Sequence, residues 1–181
     1  TLNFNNAGDK LLAGHSQSNY NYLSEFSFNG SSFSFLQQSP TTYSSSNGNF
    51  RIPYGGDYDS SGNIYASDTI NHRIQKLNSS FSYISKTGSY STTTAFRNPW
   101  GIHIDGNNKI YVNDYGNHAL RIFDSNLNLT MSIGGAANTR IGAAKKVIKK
   151  IVSNTDLTSG ANFGLMEWST TRSSDTRIRV K

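Results

Sequence analysis

The sequence predicts a mainly β protein made of short antiparallel blades, of the propeller or solenoid kind, and three observations carry that expectation. The stretch from Phe50 to Gly88 is written a second time, 46 residues later, from Phe96 to Gly134. Phe50-Arg51, Pro53, Gly55, Asp59, Ile64-Tyr65, Asp68, Asn71-His72 and Gly88 recur as Phe96-Arg97, Pro99, Gly101, Asp105, Ile110-Tyr111, Asp114, Asn117-His118 and Gly134, with no insertion. Each copy holds four short strand signals, and a period of about 40 to 50 residues with four strands per unit marks a repeat array.

The chain can be read element by element against that repeat. In the first 49 residues a poorer copy is visible: Asp9 to Ala13 matches Asn108 to Val112, and Tyr22 to Phe26 matches the strand ending at Phe123. Asn29-Gly30 reads as a turn into an alternating strand through Phe33, Phe35 and Leu36. His15 stands where Asp68 and Asp114 stand later, and Ser39 to Asn49 is a Ser-, Thr- and Gly-rich connection. The second unit predicts an inner strand at Gly56–Tyr58, a turn at Asp59–Gly62, and further strands at Asn63–Ala66, Arg73–Leu77 and Phe81–Ser85. The third repeats it at Ile102–Ile104, Ile110–Val112, Leu120–Phe123 and Leu127–Ile133. Strands of about four to six residues are what propeller blades require. The expected division is 1–49, a degenerate blade and connection; 50–135, two blades; and 136–181, a different segment.

Composition fits and bounds the reading. Only 35% of the 181 residues are hydrophobic, with Asn, Ser, Thr, Gly and Tyr in their place, as in turn-rich β proteins. There is no cysteine, which removes disulfides and thiolate metal sites. No apolar run approaches the roughly 20 residues of a membrane-spanning helix. Residues 1–138 hold eight basic and eight acidic side chains, so the net charge of +6 resides wholly in the remainder. Neutral blades give no general attraction to nucleic acid. The chain opens on Thr1 without a signal-like start, so the sequence is expected to continue on both sides.

At these residues a resemblance can be named: FRNPWGIHIDGNNKIYVNDYGNHALRIF resembles an NHL repeat, with its Pro, Gly, apolar pair, Asp, turn, Ile-Tyr-Val strand, Asp and Asn-His-Arg-Ile. The resemblance covers 50–134 in two copies and implies a β-propeller. Asp68, His72, Asp114 and His118, with Asn71 and Asn117, read as blade-building residues that tie down the turn between the second and third strands. Residues repeated at the same place in every blade cannot converge on one centre. No catalytic and no metal residue is therefore assigned. Asp57 and His103 occupy corresponding inner-strand positions and are candidate channel residues. Arg51, Tyr54, Arg97 and Trp100 flank the Phe-Arg-x-Pro turns and form a candidate binding rim.

Residues 136–181 break the repeat. Ile141, Ala144, Val147-Ile148 and Ile151-Val152 fall at helical spacing with Lys145, Lys146, Lys149 and Lys150 opposite. Asn162 to Trp168 and Arg177 to Lys181 then read as strands. TRIGAAKKVIKKIV followed by NFGLMEWS is similar to a helix and strand of a von Willebrand factor A domain of the PilY1 pilus-tip type, which implies a partial α/β segment. Asp124 to Asn128 has Asn where that family's Asp-x-Ser-x-Ser metal strand has Ser, and it falls in blade register with Asn78 to Ser82. No cofactor is assigned, calcium or magnesium being expected only in a complete A domain.

Two and a half blades cannot close a ring, so the incomplete propeller is expected to be completed by further segments of the same chain or by partners. The resulting expectation is a non-enzymatic recognition or adhesion protein at the cell surface or outside the cell. Its partners would be a protein or surface glycan ligand and pilus components, with no membrane span and no nucleic acid. The alternatives are a metal-dependent propeller lyase or hydrolase and an RNA-binding NHL module.

Overall fold

The computed structural model describes residues 2–17, 20–89 and 96–135, all within one compact unit, Thr1–Asn138. The helix and strands expected in 136–181 lie outside the described residues. Three four-stranded antiparallel sheets follow one another. The first consists of β1 (Leu2–Phe4), β2 (Lys10–Gln17), β3 (Tyr20–Phe28) and β4 (Phe33–Gln38). The second holds β5 (Gly56–Tyr58), β6 (Ile64–Asp68), β7 (Arg73–Leu77) and β8 (Tyr83–Thr87). The third holds β9 (Pro99–Ile104), β10 (Ile110–Asp114), β11 (Ala119–Phe123) and β12 (Leu129–Gly134). Each is a meander in sequence order, and the first strands β1, β5 and β9 lie next to one another. The half-blade expected in 1–49 is a full sheet. Its inner strand, Leu2–Phe4, is too short to show an alternation.

The sheets stack face to face because strand alternation gives each of them two apolar faces. Between the first and second lie Leu12, Leu23, Phe50, Tyr58, Ile64 and Leu77. Between the second and third lie Tyr65, Ile74, Phe96, Ile110, Val112 and Phe123. Ile64 and Tyr65 are neighbours in β6 and serve opposite junctions, and both are fully buried. Each such side chain contributes on the order of 1.5–3 kcal/mol of burial free energy.

Turn chemistry sets the register. Asp59 accepts from the N–H groups of Ser61 (2.9 Å) and Asn63 (2.8 Å), and Asp105 from those of Asn107 and Lys109 (both 2.9 Å). Asn78 and Asp124 do the same at the outer turns, toward Ser80 and Ser82 and toward Asn126 and Asn128. Three residues after each of these the chain turns left-handed, at Gly62, Asn108, Phe81 and Leu127. That is a type I turn closed by a residue in the left-handed region, the form that leaves a bulge in the flanking strand. At the outer turns a bulge falls at one equivalent place in each sheet, at Glu25/Phe26, Lys76/Leu77 and Ile122/Phe123, and the third sheet has a further register shift at Val112/Asp114. The segment Asp124–Asn128, weighed above as a metal strand, is one of these turns.

At the other end of each later sheet a carboxylate gathers the chain. Asp68 accepts from Arg51 N–H (2.7 Å), Asn71 Nδ2 (2.9 Å) and Arg73 Nε (2.6 Å). Asp114 accepts from Arg97 N–H (2.7 Å) and Asn117 Nδ2 (2.8 Å) and forms an ion pair with Arg121, whose Nε lies 2.6 Å from Oδ2. Both carboxylates are fully buried, and His72 and His118 follow in the left-handed conformation. Gly88 and Gly134 recur because a Cβ there would lie 2.8 Å from the His72 carbonyl oxygen and 2.5 Å from that of His118. The first sheet has His15 in place of the aspartate. His15 Nε2 instead meets Ser24 Oγ at 2.6 Å and its ring stacks on Tyr22.

Removing the Asp114 carboxylate strands a buried guanidinium, whereas removing Asp124 frees N–H groups on an exposed turn. Asp114→Ala is expected to lose about 3–5 kcal/mol of unfolding free energy and Asp124→Ala about 1 kcal/mol, both measured by urea denaturation. Equal losses would show that the buried pair does not hold the blade.

Candidate functional site

Tyr54 precedes β5, Trp100 lies at the start of β9, and Tyr115 follows β10, so all three emerge at the blade end that carries the aspartate knots. The main chains there are in close contact, since a Cβ on Gly55 would sit 2.5 Å from the Trp100 carbonyl oxygen. That proximity brings Tyr54 to Trp100, and the β9–β10 pairing brings Tyr115. The Trp100 and Tyr115 rings stack at 4.0 Å with planes 4° apart, and Tyr54 meets Trp100 edge-on at 5.4 Å. All three are exposed, at 43%, 39% and 49% for Tyr54, Trp100 and Tyr115. Ordered aromatics left open to water are the residues that anchor ligands and partners.

The two expected rim cations are placed differently. The Arg51 guanidinium lies over the Tyr43 ring at 5.0 Å, while Arg97 is exposed and close enough to His72 to disfavour its protonation. Tyr115 and Tyr43 were not among the expected site residues. The sequence does hold a signal for Tyr115: it stands 46 residues after Thr69, a place where the repeat changes character. Thr69 is buried and donates to the Pro99 carbonyl (2.7 Å), whereas Tyr115 faces solvent.

The expected channel residues do meet. Asp57 Oδ2 accepts from Ile104 N–H at 2.8 Å and lies 3.2 Å from His103 Nδ1. The carboxylate is 8% exposed and the imidazole 71%. A buried carboxylate orienting an open imidazole is an arrangement able to accept and return a proton. Among the described residues, no group of three or more His, Asp or Glu side chains is arranged to hold a metal ion.

The remaining repeat residues join blades. His72 Nδ1 accepts from Asn98 N–H in the next sheet at 3.0 Å, so this ring is neutral with its proton on Nε2. Burial, and then the Arg97 charge, lower its pKa below the usual histidine value. Glu25, which no motif marked, is buried between the first two sheets, where Tyr58 OH (2.9 Å), Gln37 Nε2 (2.8 Å) and Lys10 Nζ (3.3 Å) donate to it. Burial and the Glu25 carboxylate push the Tyr58 phenol up.

Residues 96–123, from just before β9 to the end of β11, match the NHL repeat family. No curated protein matches the chain. The solved structures similar to it include streptogramin B lyase at 17% identity and TM-score 0.54, covering 76% of this chain and 40% of that one. Virginiamycin B lyase from Staphylococcus aureus follows at 12% and 0.53, covering 76% and 41%. A nidogen/laminin complex is similar at 14% and 0.52, covering 77% and 48%. The sheets are β-propeller blades. The chain spans less than half the length of each of these structures.

These neighbours overturn the expectation of a non-enzymatic protein. Two of the three are lyases, so blades of this form serve as catalytic scaffolds. The sequence argument rested on residues that repeat. Residues that differ between blades, as Asp57 and His103 do, are free to carry chemistry on such a scaffold.

The His72 geometry fixes a pH dependence. The ring's folded pKa lies below its unfolded value of about 6.5, so the unfolded chain takes up the proton first as pH falls. The stability contributed by neutral His72 is complete above that value and is lost as pH drops through it toward the folded pKa. Thermal melts between about pH 7.5 and 5 are expected to show a declining midpoint, with a shallower decline in His72→Gln. Identical slopes would remove His72 as the cause.

Proposed function

We propose that these blades belong to a propeller that recognises a protein or glycan ligand through the end bearing Tyr54, Trp100 and Tyr115. The observation that carries this reading is the Trp100–Tyr115 stack, an aromatic platform built within the third sheet by the β9–β10 pairing, met by Tyr54 from before β5, and open to solvent. Arg97, whose carbonyl accepts from Gly116 N–H beside Tyr115, is exposed next to it and supplies donors for hydroxyl or carboxylate groups. The blades carry no net charge, which favours an uncharged platform over a polyanion groove. Placement in a larger cell-surface protein of the pilus-tip kind belongs to the same proposal and is supported by the resemblance of residues 136–181.

A second reading is favoured by the Asp57–His103 pair: acid–base catalysis on a ligand held at the inner strands, as in a lyase. The two readings separate experimentally. On a panel of immobilised oligosaccharides and glycoproteins, Trp100→Ala and Tyr115→Ala are expected to weaken binding by at least about tenfold with unchanged circular dichroism. Binding that survives both substitutions would refute the recognition reading. With streptogramin B as the probe, the catalytic reading expects turnover that falls at least about 100-fold in His103→Gln. No turnover by the wild-type chain would end it for that substrate.

A further inference from the structure

The blades carry no net charge, yet the two signs are sorted to opposite ends. At the end that carries the aspartate knots stand Arg51, Lys86 and Arg97, together with Arg73 and Arg121, which pair with Asp68 and Asp114, the two acidic groups there. At the end closed by the Asx turns stand Asp9, Glu25, Asp59, Asp105 and Asp124 against Lys10, Lys76 and Lys109. Asp57 lies midway along β5. Asp68 and Asp114 are fully buried, so among the described residues the charge that the knot end shows to solvent is positive. It is the end that also bears Tyr54, Trp100 and Tyr115.

The three cations without a carboxylate at that end are held differently. The Arg51 guanidinium lies over Tyr43, and Lys86 Nζ donates to Asn47 Oδ1 at 3.0 Å. Arg97 is exposed, and its guanidinium has no hydrogen bond or ion pair to a described residue. What places it is Gly116. A Cβ there would lie 2.6 Å from Arg97 Cγ and 2.6 Å from the Arg97 carbonyl oxygen, to which Gly116 N–H donates at 2.7 Å. The stem of Arg97 therefore runs over bare backbone beside Tyr115.

The second sheet has the same main-chain contact without the site. Ile70 N–H donates to the Arg51 carbonyl at 3.1 Å, as Gly116 does to Arg97. Where the second sheet has Thr69 and Ile70, the third has Tyr115 and Gly116, 46 residues later. Two adjacent departures from the repeat thus serve one place: tyrosine supplies an open ring, and glycine makes room for the arginine stem.

The chemistry of that place narrows the ligand. Trp100 stacks on one face of Tyr115, and the tyrosine is still about half exposed. The N–H groups of Arg97, Asn98, Gly116 and His118 all donate within the fold. What remains for a ligand is an aromatic surface and, next to it, one planar fork of donors that matches a carboxylate. An acidic sugar offers both partners on one rigid unit, an apolar C–H face and a carboxylate at the edge of the ring. A peptide carboxylate rides on a flexible side chain that costs entropy to order, and its backbone finds no open N–H here. A single fork does not make the run of cations that holds a polyanion.

We propose that the ligand unit seated at Tyr115 is an acidic sugar of a glycan, a uronic or sialic acid residue, with its ring against Tyr115 and its carboxylate paired with Arg97. The inference rests on the recognition reading above and names the class of ligand within it.

The full chain is tested against immobilised glycans paired so that only the carboxylate differs: oligosaccharides ending in glucuronic acid or in glucose, and a sialylated glycoprotein or the same glycoprotein desialylated. The wild type is expected to bind at least one acidic member at least about fivefold more tightly than its neutral partner. Arg97→Gln is expected to bring that ratio below about twofold with an unchanged circular dichroism spectrum. Arg97→Lys, which keeps the charge and loses the fork, is expected to hold an intermediate ratio. Equal binding of acidic and neutral partners, a preference that survives Arg97→Gln, or tighter binding of a glutamate-rich peptide than of either acidic sugar would overturn this inference and leave the recognition surface standing. A wild type that binds neither the glycans nor the peptide would overturn both.

Discussion

The structure depends on stacking one sheet on the next. Blades of three to nine residues per strand are too small to bury a core by themselves. Ile64 can be buried only because Leu12 and Leu23 cover it, and Tyr65, its neighbour, only because Phe96 and Ile110 cover the other side. Stability in such an array accumulates junction by junction. The polar bonds between sheets, from Glu25 to Tyr58, from Tyr65 to Ser125 and from Asn98 to His72, fix which junction forms and in what register.

Within a blade the division of labour follows from geometry. One end of each later sheet is sealed by Asx turns that leave a bulge, and the other is gathered by a buried aspartate. The gathered end is also where the inner strands come close enough to exclude a side chain at Gly55. It is therefore the end at which residues from two blades can be held at fixed spacing. Tyr54 meets Trp100 through that constraint, while Trp100 and Tyr115 stack through the β9–β10 pairing within one sheet, so the proposed recognition surface is a consequence of how the blades are built rather than an addition to them.

Much of this was legible in the sequence. The 46-residue repeat placed β5 to β12 to within a few residues, and it singled out Asp57 and His103 as corresponding inner-strand positions without saying that they pair. Other features were not legible, for physical reasons. Leu2–Phe4 is three residues long and forms a strand only because β2 pairs with it and β5 packs beside it. Glu25 sits in a strand where alternation assigns it a face, but nothing local says that a tyrosine 33 residues away will bury its carboxylate. Tyr115 lies in a turn, and its partner Trp100 is brought to it by the β9–β10 pairing and not by nearness in sequence. The expectation of a non-enzymatic protein gave most weight to the residues that agree between blades, and gave Asp57 and His103, which differ, only a place as channel candidates. The chemistry a blade can add lies where they differ.

Native-state hydrogen exchange tests the stacking most directly, because it reads the opening of each strand separately. If neighbouring sheets hold each other folded, the amides of β6 and β10 share one opening free energy and lose protection together when Tyr65→Ala empties the junction between them. Loss of protection confined to β6, with β10 unchanged, would contradict the account.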